Sequence, residues 1–123
     1  MKKWMLILLA AVMLTACGQK PAVYKNITAQ EAKQIMDSQR GYIILDVRTQ
    51  EEYDAGHVPG AVLIPNTELE ARAESELPDK DQLLLVYCRS GRRSKLASEI
   101  LVQLGYTNIL EFGGIQDWPY EVE

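Results

Sequence analysis

Cysteine is scarce in this chain of 123 residues, which contains only Cys17 and Cys88. If Cys17 is consumed by modification near the N-terminus, the remaining domain has one thiol and no intrachain disulfide can form. A solitary cysteine is vulnerable to oxidation in an oxidising compartment, so we expect Cys88 to have a function. The residues predict neither a metal site nor a cofactor.

Positive charge and long apolar runs are also in short supply. The 13 Lys and Arg residues are outnumbered by 17 Asp and Glu residues, which gives a formal net charge of -4 at pH 7. Loss of Lys2 and Lys3 with a leader would change this charge to about -6, and so acidic a domain is not expected to bind nucleic acid. The apolar run from Trp4 to Leu14 is shorter than the about 20 residues of a transmembrane helix.

The N-terminus is predicted to be a leader. A basic start at residues 1–3, an apolar run and the sequence Leu-Thr-Ala-Cys at 14–17 follow one another directly. This order resembles the signal of bacterial lipoproteins, which implies that residues 1–16 are removed and that Cys17 is lipidated. The alternative is an ordinary secretory signal cut near Ala16, which would leave Cys17 as a free thiol.

The lipoprotein interpretation predicts where the protein is found. Residues 17–26 would be the lipidated cysteine and a short tether between the anchor and the folded domain. The protein would then be attached to a membrane of the bacterial cell envelope and face the periplasm or the exterior. Gly18 follows the cysteine in place of the aspartate that resembles an inner-membrane retention signal, so we expect the outer membrane where two membranes exist.

Residues 27–123 carry alternating strand and helix signals and are predicted to form one domain. Thr28-Ala-Gln-Glu31 has the form of a helix capping box, and the unbroken apolar run 42–47 is typical of a strand covered on both faces. Buried strands that alternate with helices predict an α/β domain with a parallel sheet and helices on both faces. The predicted strands are 42–47, 61–64, 83–87 and 108–110. The predicted helices are 28–38, 51–55, 67–77 and a fourth after Cys88, whose inward residues are Leu96, Ile100, Leu101 and Leu104. Gly113-Gly114 is predicted as a turn before a closing segment at 115–118.

The stretch 83–95, Leu-Leu-Leu-Val-Tyr-Cys-Arg-Ser-Gly-Arg-Arg-Ser-Lys, places Cys88 between an apolar strand and a helix. Helix N-terminal amides and nearby cations favour the thiolate, which is the reactive form of cysteine, and they also suit an anionic substrate. In parallel α/β sheets ligands bind beyond the carboxyl ends of the strands, where Cys88 falls. The alternatives are that Cys88 is a small buried hydrophobe and that the cations form a solvated helix face. The cations are Arg89, Arg92, Arg93 and Lys95.

Three segments together resemble the rhodanese-type sulfurtransferase family. The first is Leu45-Asp-Val-Arg48 with Glu52-Tyr53 and Gly56-His-Val-Pro-Gly-Ala61, the second is the active-site loop 86–94, and the third is Gly113-Gly-Ile115 with Trp118. The resemblance covers about Ile27 to Trp118 and implies a single α/β domain with about five parallel strands. It also implies catalysis through a cysteine persulfide, with Cys88 as the nucleophile.

The resemblance assigns further site residues by position. Arg89 and Arg93 resemble the anion-contacting residues of the loop, and the amides from Ser90 through Gly91 and Arg92 to Arg93 would cradle the substrate. Three residues of the first signature are interpreted chiefly as structural support through hydrogen bonds; they are Asp46, Arg48 and His57. The alternative for His57, the only histidine, is a general base.

Loop length separates sulfurtransferases from their oxyanion-processing relatives. Cys88 to Arg93 is six residues, similar to the sulfurtransferases, whereas phosphatases that share the fold have one more. Tyrosine phosphatases place an arginine where this chain has Ser94. Phosphatase and arsenate-reductase activities are therefore disfavoured.

The predicted reaction moves sulfur from thiosulfate or a similar small anionic donor through a Cys88 persulfide. The acceptor would be cyanide or a thiol, including a protein thiol. A second hypothesis is a membrane-anchored persulfide carrier or binding module with little turnover on free thiosulfate. A third, an inactive interaction domain, is disfavoured because such relatives commonly lack the cysteine.

Overall fold

A computed structural model describes residues 23–123. The predicted signal peptide, Cys17 and most of the tether lie outside the described residues. The strands are β1 Lys25–Asn26, β2 Tyr42–Asp46, β3 Val62–Leu63, β4 Leu83–Cys88 and β5 Ile109–Gly114. The helices are α1 Ala29–Ser38, α2 Gln50–Ala55, α3 Leu69–Glu76 and α4 Arg92–Gln103, and a 3₁₀ turn follows at Ile115–Asp117.

The five strands form one parallel sheet in the order β1-β5-β4-β2-β3. The central strand is β4, which pairs with β2 on one side and with β5 on the other. The α/β class, the parallel sheet and its five strands are thus confirmed. Cys88 ends β4 and lies opposite Gly114 of β5, after an irregularity in the pairing between Val86 and Cys88.

Two apolar clusters, one on each face of the sheet, form the core. Strand residues alternate between them: Leu84 and Val86 of β4 belong to one cluster, while Leu85 and Tyr87 belong to the other. The first cluster is closed by α3 and α4, and the second by α1 and the segment that contains Trp118. Helices therefore cover both faces, as predicted, and strands buried on both faces need no polar alternation.

The starts of α1 and α2 are fixed by local hydrogen bonds. Thr28 and Glu31 form a complete capping box at α1, and Thr49 and Glu52 form another at α2. In each, the threonine hydroxyl accepts the amide of the glutamate and the glutamate carboxylate accepts the amide of the threonine. The predicted start of α1 is confirmed. The second box was not predicted, and it places the start of α2 one residue before the predicted Glu51.

Three details of the prediction are wrong. Lys25–Asn26, assigned to the tether, form edge strand β1 against β5. Leu96, predicted to face inward, is 49% exposed, because the buried face of α4 carries small residues that allow close packing on the sheet. Gly113 and Gly114, predicted as a turn, extend β5.

Among residues 23–123, no helix combines the length and the apolar character needed to cross a membrane.

Candidate active site

Cys88 is a free, buried cysteine at the carboxyl end of β4. Its residue is 1% exposed, and its Sγ accepts a hydrogen bond from the Gly91 amide at 3.0 Å. Gly91 is the N-cap of α4, so the sulfur lies at the N-terminus of a 12-residue helix, where partial positive charge accumulates. The sulfur is therefore buried in a polar position and is not enclosed by hydrocarbon alone.

Two glycines give the loop after Cys88 its shape. Gly91 adopts a φ of +107°, in the left-handed region that favours glycine, and this turn directs its amide at the sulfur. Gly114 is required for a different reason, because a Cβ on it would lie 1.9 Å from the carbonyl oxygen of Arg89. The loop is thus held against β5 by direct backbone contact, and the Arg89 carbonyl also accepts the Gln116 amide at 3.1 Å.

Ser94 and Glu111 form a polar pair next to Cys88 Sγ that was not predicted from the sequence. Ser94 Oγ is 3.4 Å from Cys88 Sγ and donates to the carboxylate of Glu111 on β5. Glu111 is 2% exposed and also accepts from the Asn26 side chain and the Gly113 amide. The one sequence signal for Glu111 is a single charged residue between Leu110 and Phe112, whereas its pairing with Ser94 depends on the sheet order.

Arg93, predicted to contact the substrate, forms a two-point ion pair with Glu52. Its Nη1 and Nη2 donate to the two carboxylate oxygens at 2.8 and 2.9 Å. These bonds lower the pKa of Glu52 to about 2. They also raise the pKa of Arg93, with a smaller contribution from the charge of Cys88. The side chain of Arg93 is therefore tied to α2 through Glu52.

The remaining predicted anion-binding residues lie at the surface beside the loop. Arg89, Ser90 and Arg92 are exposed. A groove of about 480 Å³ opens here between the loop and α2, and Arg48, Glu52 and Arg89 are among its lining residues. Amides of the first helical turn have no partner within a helix, so those of Arg92 and Arg93 are suited to an anion.

Asp46 and Arg48 form a buried ion pair at the end of β2. Arg48 Nη2 donates to Asp46 Oδ2 at 2.7 Å and to the Gly56 carbonyl at 2.8 Å. The Tyr87 hydroxyl also donates to Asp46 Oδ2, at 2.5 Å, and accepts the Val58 amide at 3.0 Å. Burial first, and then the hydrogen bond to Asp46, raise the pKa of Tyr87. The pair thus connects β2, β4 and the segment around Val58.

His57 contacts α2 and the end of the chain. Its ring stacks on Tyr53 at 3.7 Å, and Nδ1 lies 2.9 Å from the Tyr53 carbonyl. The His57 and Glu123 backbones exchange two hydrogen bonds, and Nε2 lies 3.5 Å from the Glu123 carboxylate. The ring nitrogens therefore face the Tyr53 carbonyl and Glu123, and Cys88 is not among their hydrogen-bond partners. Residues 23–123 contain no group of three or more His, Cys, Asp or Glu side chains that could hold a metal ion.

The fold and the site define a class of small parallel α/β domain in which a cysteine that ends the central strand faces a helix N-terminus. Residues 28–120 match the family described as Rhodanese-like domain. The match covers more than half of the chain, which therefore belongs to the rhodanese-like family.

Individual relatives agree with this assignment. Thiosulfate sulfurtransferase PspE of Escherichia coli K12 is 44% identical over 73 residues, which are 59% of this chain and 70% of that protein. The putative sulfur carrier protein YrkF of Bacillus subtilis is 39% identical over 99 residues, but these span only 52% of its length against 80% of this chain. A solved structure described as rhodanese with anions from E. coli has a TM-score of 0.63 and 39% identity, and covers 67% of this chain and 96% of its own.

Proposed function

We propose that the protein is a sulfurtransferase in which Cys88 accepts sulfur from thiosulfate or a similar anionic donor and carries it as a persulfide. The observation on which this rests is the 3.0 Å hydrogen bond from the Gly91 amide to Cys88 Sγ at the N-terminus of α4. An amide and a helix dipole aimed at sulfur stabilise an anionic sulfur more than a neutral thiol. The relatives named as sulfurtransferases support the same assignment.

The proposed chemistry has two displacements. In the first, the Cys88 thiolate attacks the outer sulfur of thiosulfate, a new S–S bond forms, and the S–S bond of thiosulfate breaks with its electron pair leaving on sulfite. In the second, cyanide or an acceptor thiolate attacks the outer sulfur of the persulfide, and the Cys88 thiolate is released. Sulfite and thiolate are competent leaving groups, so neither displacement needs a general acid.

Donor recognition is assigned to the groove beside the loop. Arg89 lines this groove, and Arg92 is exposed at the start of α4. The N-terminal amides of α4 belong to the same loop and suit an anion. Guanidinium groups favour oxyanions, so thiosulfate could bind with its sulfonate end on the arginines and its outer sulfur toward Cys88. Because Cys88 is only 1% exposed, a donor must be small or must displace part of the loop to reach the sulfur.

The test is intact-mass measurement after incubation of the soluble fragment beginning after Cys17 with thiosulfate. A gain of one sulfur atom is expected in the wild type and no gain in Cys88→Ser. Subsequent addition of cyanide should remove the added mass and release thiocyanate. No adduct on the wild type, combined with no thiocyanate, would reject the transfer reaction; an adduct on Cys88→Ser would reject the nucleophile.

Sulfur carriage is the second candidate function. A relative named as a putative sulfur carrier favours it. Because Cys88 is 1% exposed, a partner protein would have to displace part of the loop to reach it. In this case the donor would be a protein persulfide, which is left as a thiol, and the acceptor would be a protein thiol. Faster persulfide formation from a persulfidated protein thiol than from thiosulfate would favour carriage over turnover on free thiosulfate.

We also propose that the domain is anchored to the cell envelope through a lipid on Cys17. The support is the order of basic, apolar and Leu-x-Ala-Cys segments in residues 1–17. Metabolic labelling with a radioactive fatty acid should mark the wild-type protein and fail to mark Cys17→Ala. Fractionation of the two membranes would then test attachment to the outer membrane. Labelling that persists in the variant would rule out this anchor.

A further inference from the structure

Glu111 is a buried carboxylate that takes part in neither of the two displacements. A glutamate that is 2% exposed is unusual unless it is paired. Its described hydrogen-bond partners are all neutral: the Asn26 side-chain amide at 2.6 Å, the Gly113 amide at 3.0 Å, and the Ser94 hydroxyl. The carboxylate is therefore compensated by donors and not by direct contact with a cation.

Ser94 connects this carboxylate to the reacting sulfur. Its Oγ lies 3.4 Å from Cys88 Sγ on one side and bonds to Glu111 Oε2 on the other. Carbonyl oxygens of Gly91 and Gly113 also lie within 3.1 and 3.3 Å of Oγ, but Glu111 offers the only charged acceptor among these, and charge-assisted bonds are the stronger ones. The Cys88 thiol can thus donate to Ser94 while Ser94 donates to Glu111.

A thiolate and a carboxylate at the two ends of this chain would repel each other. The site is buried, so their charges are poorly screened and simultaneous ionisation is unfavourable. Transfer of one proton along the chain avoids this repulsion, because the negative charge moves from the carboxylate to the sulfur and the total charge does not change.

We propose that Glu111 stores the Cys88 proton through Ser94 in the state in which the two groups share a single proton. The thiol proton passes to Ser94 Oγ as the Ser94 hydroxyl proton passes to Glu111 Oε2, which leaves a thiolate, an intact hydroxyl and a neutral carboxylic acid. Ser94, which touches the sulfur, is then a catalytic residue, and Glu111 is a positioning residue that acts through it.

The stored proton would remain on Glu111 through the displacements that form and discharge the persulfide, and would return to the thiol afterwards. This extension to the catalytic cycle rests on the proposed function. The proton transfer itself does not, because it concerns only the free enzyme.

Among residues 23–123, two other groups, Arg93 and Tyr24, have pKa values raised in part by the charge of Cys88 or Glu111. Arg93 on α4 has its pKa raised, chiefly by Glu52. Tyr24, just before β1, has its pKa raised by burial first and then by Glu99 and Glu111. Both pKa values are raised above their ordinary values, so neither group is expected to titrate between pH 5 and 9. Neither group should therefore imitate a proton shared by Cys88 and Glu111.

The test is the rate of Cys88 alkylation by iodoacetamide between pH 5 and 10, which needs no sulfur donor. A shared proton predicts two rises in the wild-type profile, because two coupled groups lose protons in two macroscopic steps. Glu111→Gln should show one rise and, at pH 6, react about tenfold or more slowly than wild type, since no carboxylate is then available to take the thiol proton. At pH 10 the two rates should agree within about twofold.

Glu111→Gln is a conservative probe. The introduced amide oxygen could accept from Ser94 and Gly113, and the Asn26 amide could turn to accept from the introduced NH₂ group. Ser94→Ala interrupts the same chain at its middle and should lose the low-pH rise as well, so it carries the test if Glu111→Gln does not fold. Glu99→Gln removes an exposed carboxylate from α4 and should retain the wild-type profile.

The pH dependence separates a proton store from a structural role. Equal slowing of Glu111→Gln at every pH would mean that Glu111 only shapes the site, and faster alkylation at pH 6 would mean simple repulsion. Either result, or an unchanged two-step profile, would overturn the proposal. A wild type that shows the two steps but forms no persulfide would reject the proposed function and leave the proton store intact.

Discussion

The ion pair between Glu52 and Arg93 should contribute measurably to stability. The pKa of Glu52 falls from 4.5 to about 2, chiefly because Arg93 donates to its carboxylate. At 1.36 kcal/mol per pKa unit, this shift corresponds to an upper limit of about 3 kcal/mol. The side chains of Arg93 and Glu52 are 30% and 27% exposed, so water screens part of their attraction. We therefore expect a coupling free energy of about 1 to 2 kcal/mol, above that of most surface pairs.

The coupling can be measured by urea unfolding at pH 7 with a double-mutant cycle of Glu52→Gln and Arg93→Met. Glutamine keeps the capping box with Thr49, so the first substitution removes the charge without removing the helix cap. The exposed pair Lys33 and Asp37 on α1 is a matched control and should give a smaller coupling.

The same coupling should depend on pH with a defined sign. Because the folded-state pKa of Glu52 lies below its ordinary value, the stabilisation is fully present above about pH 5 and is lost as the pH falls toward 2. A coupling below about 0.3 kcal/mol at pH 7 in low salt, or one that does not change between pH 7 and 3, would refute the reasoning.

Two further substitutions test the frame around Cys88. Gly114→Ala should abolish most persulfide formation, because its Cβ would lie 1.9 Å from the Arg89 carbonyl oxygen. Gly113→Ala should lose less persulfide formation, because its Cβ would enter open space, despite a φ of +87°. Equal persulfide formation by the two variants in the intact-mass assay would contradict this. Tyr87→Phe should lower the free energy of unfolding by about 1 to 3 kcal/mol, since the Val58 amide and Asp46 each lose a buried partner. A urea-unfolding change below about 0.5 kcal/mol would count against this network.

The regular elements were largely predictable because their signals are local. The capping box at Thr28 and the unbroken apolar runs that became β2 and β4 depend on neighbouring residues alone. β1 was not predicted because Lys25–Asn26 have no apolar pattern and form a strand only by pairing with β5. Leu96 was misplaced because a helical pattern gives the period of an apolar face, while packing with the sheet selects small residues for the contact.

The position of the candidate nucleophile could be predicted from local sequence alone. A thiol between an apolar strand and a Gly-containing basic loop could be recognised from Cys88 and its neighbours, without any distant contact. The same is true of the motif resemblance, because each motif is a continuous stretch of chain.

The surroundings of that sulfur depend on how the strands and helices pack together. The pairing of β4 with β5 brings Glu111 and Gly114 to the Cys88 loop, and the position of α2 gives Arg93 a carboxylate partner. These contacts join residues that are far apart in sequence, so their distances follow from strand order and helix placement and not from local spacing. For the same reason, the motif resemblance could assign Arg93 to the substrate, but could not foresee its ion pair with Glu52.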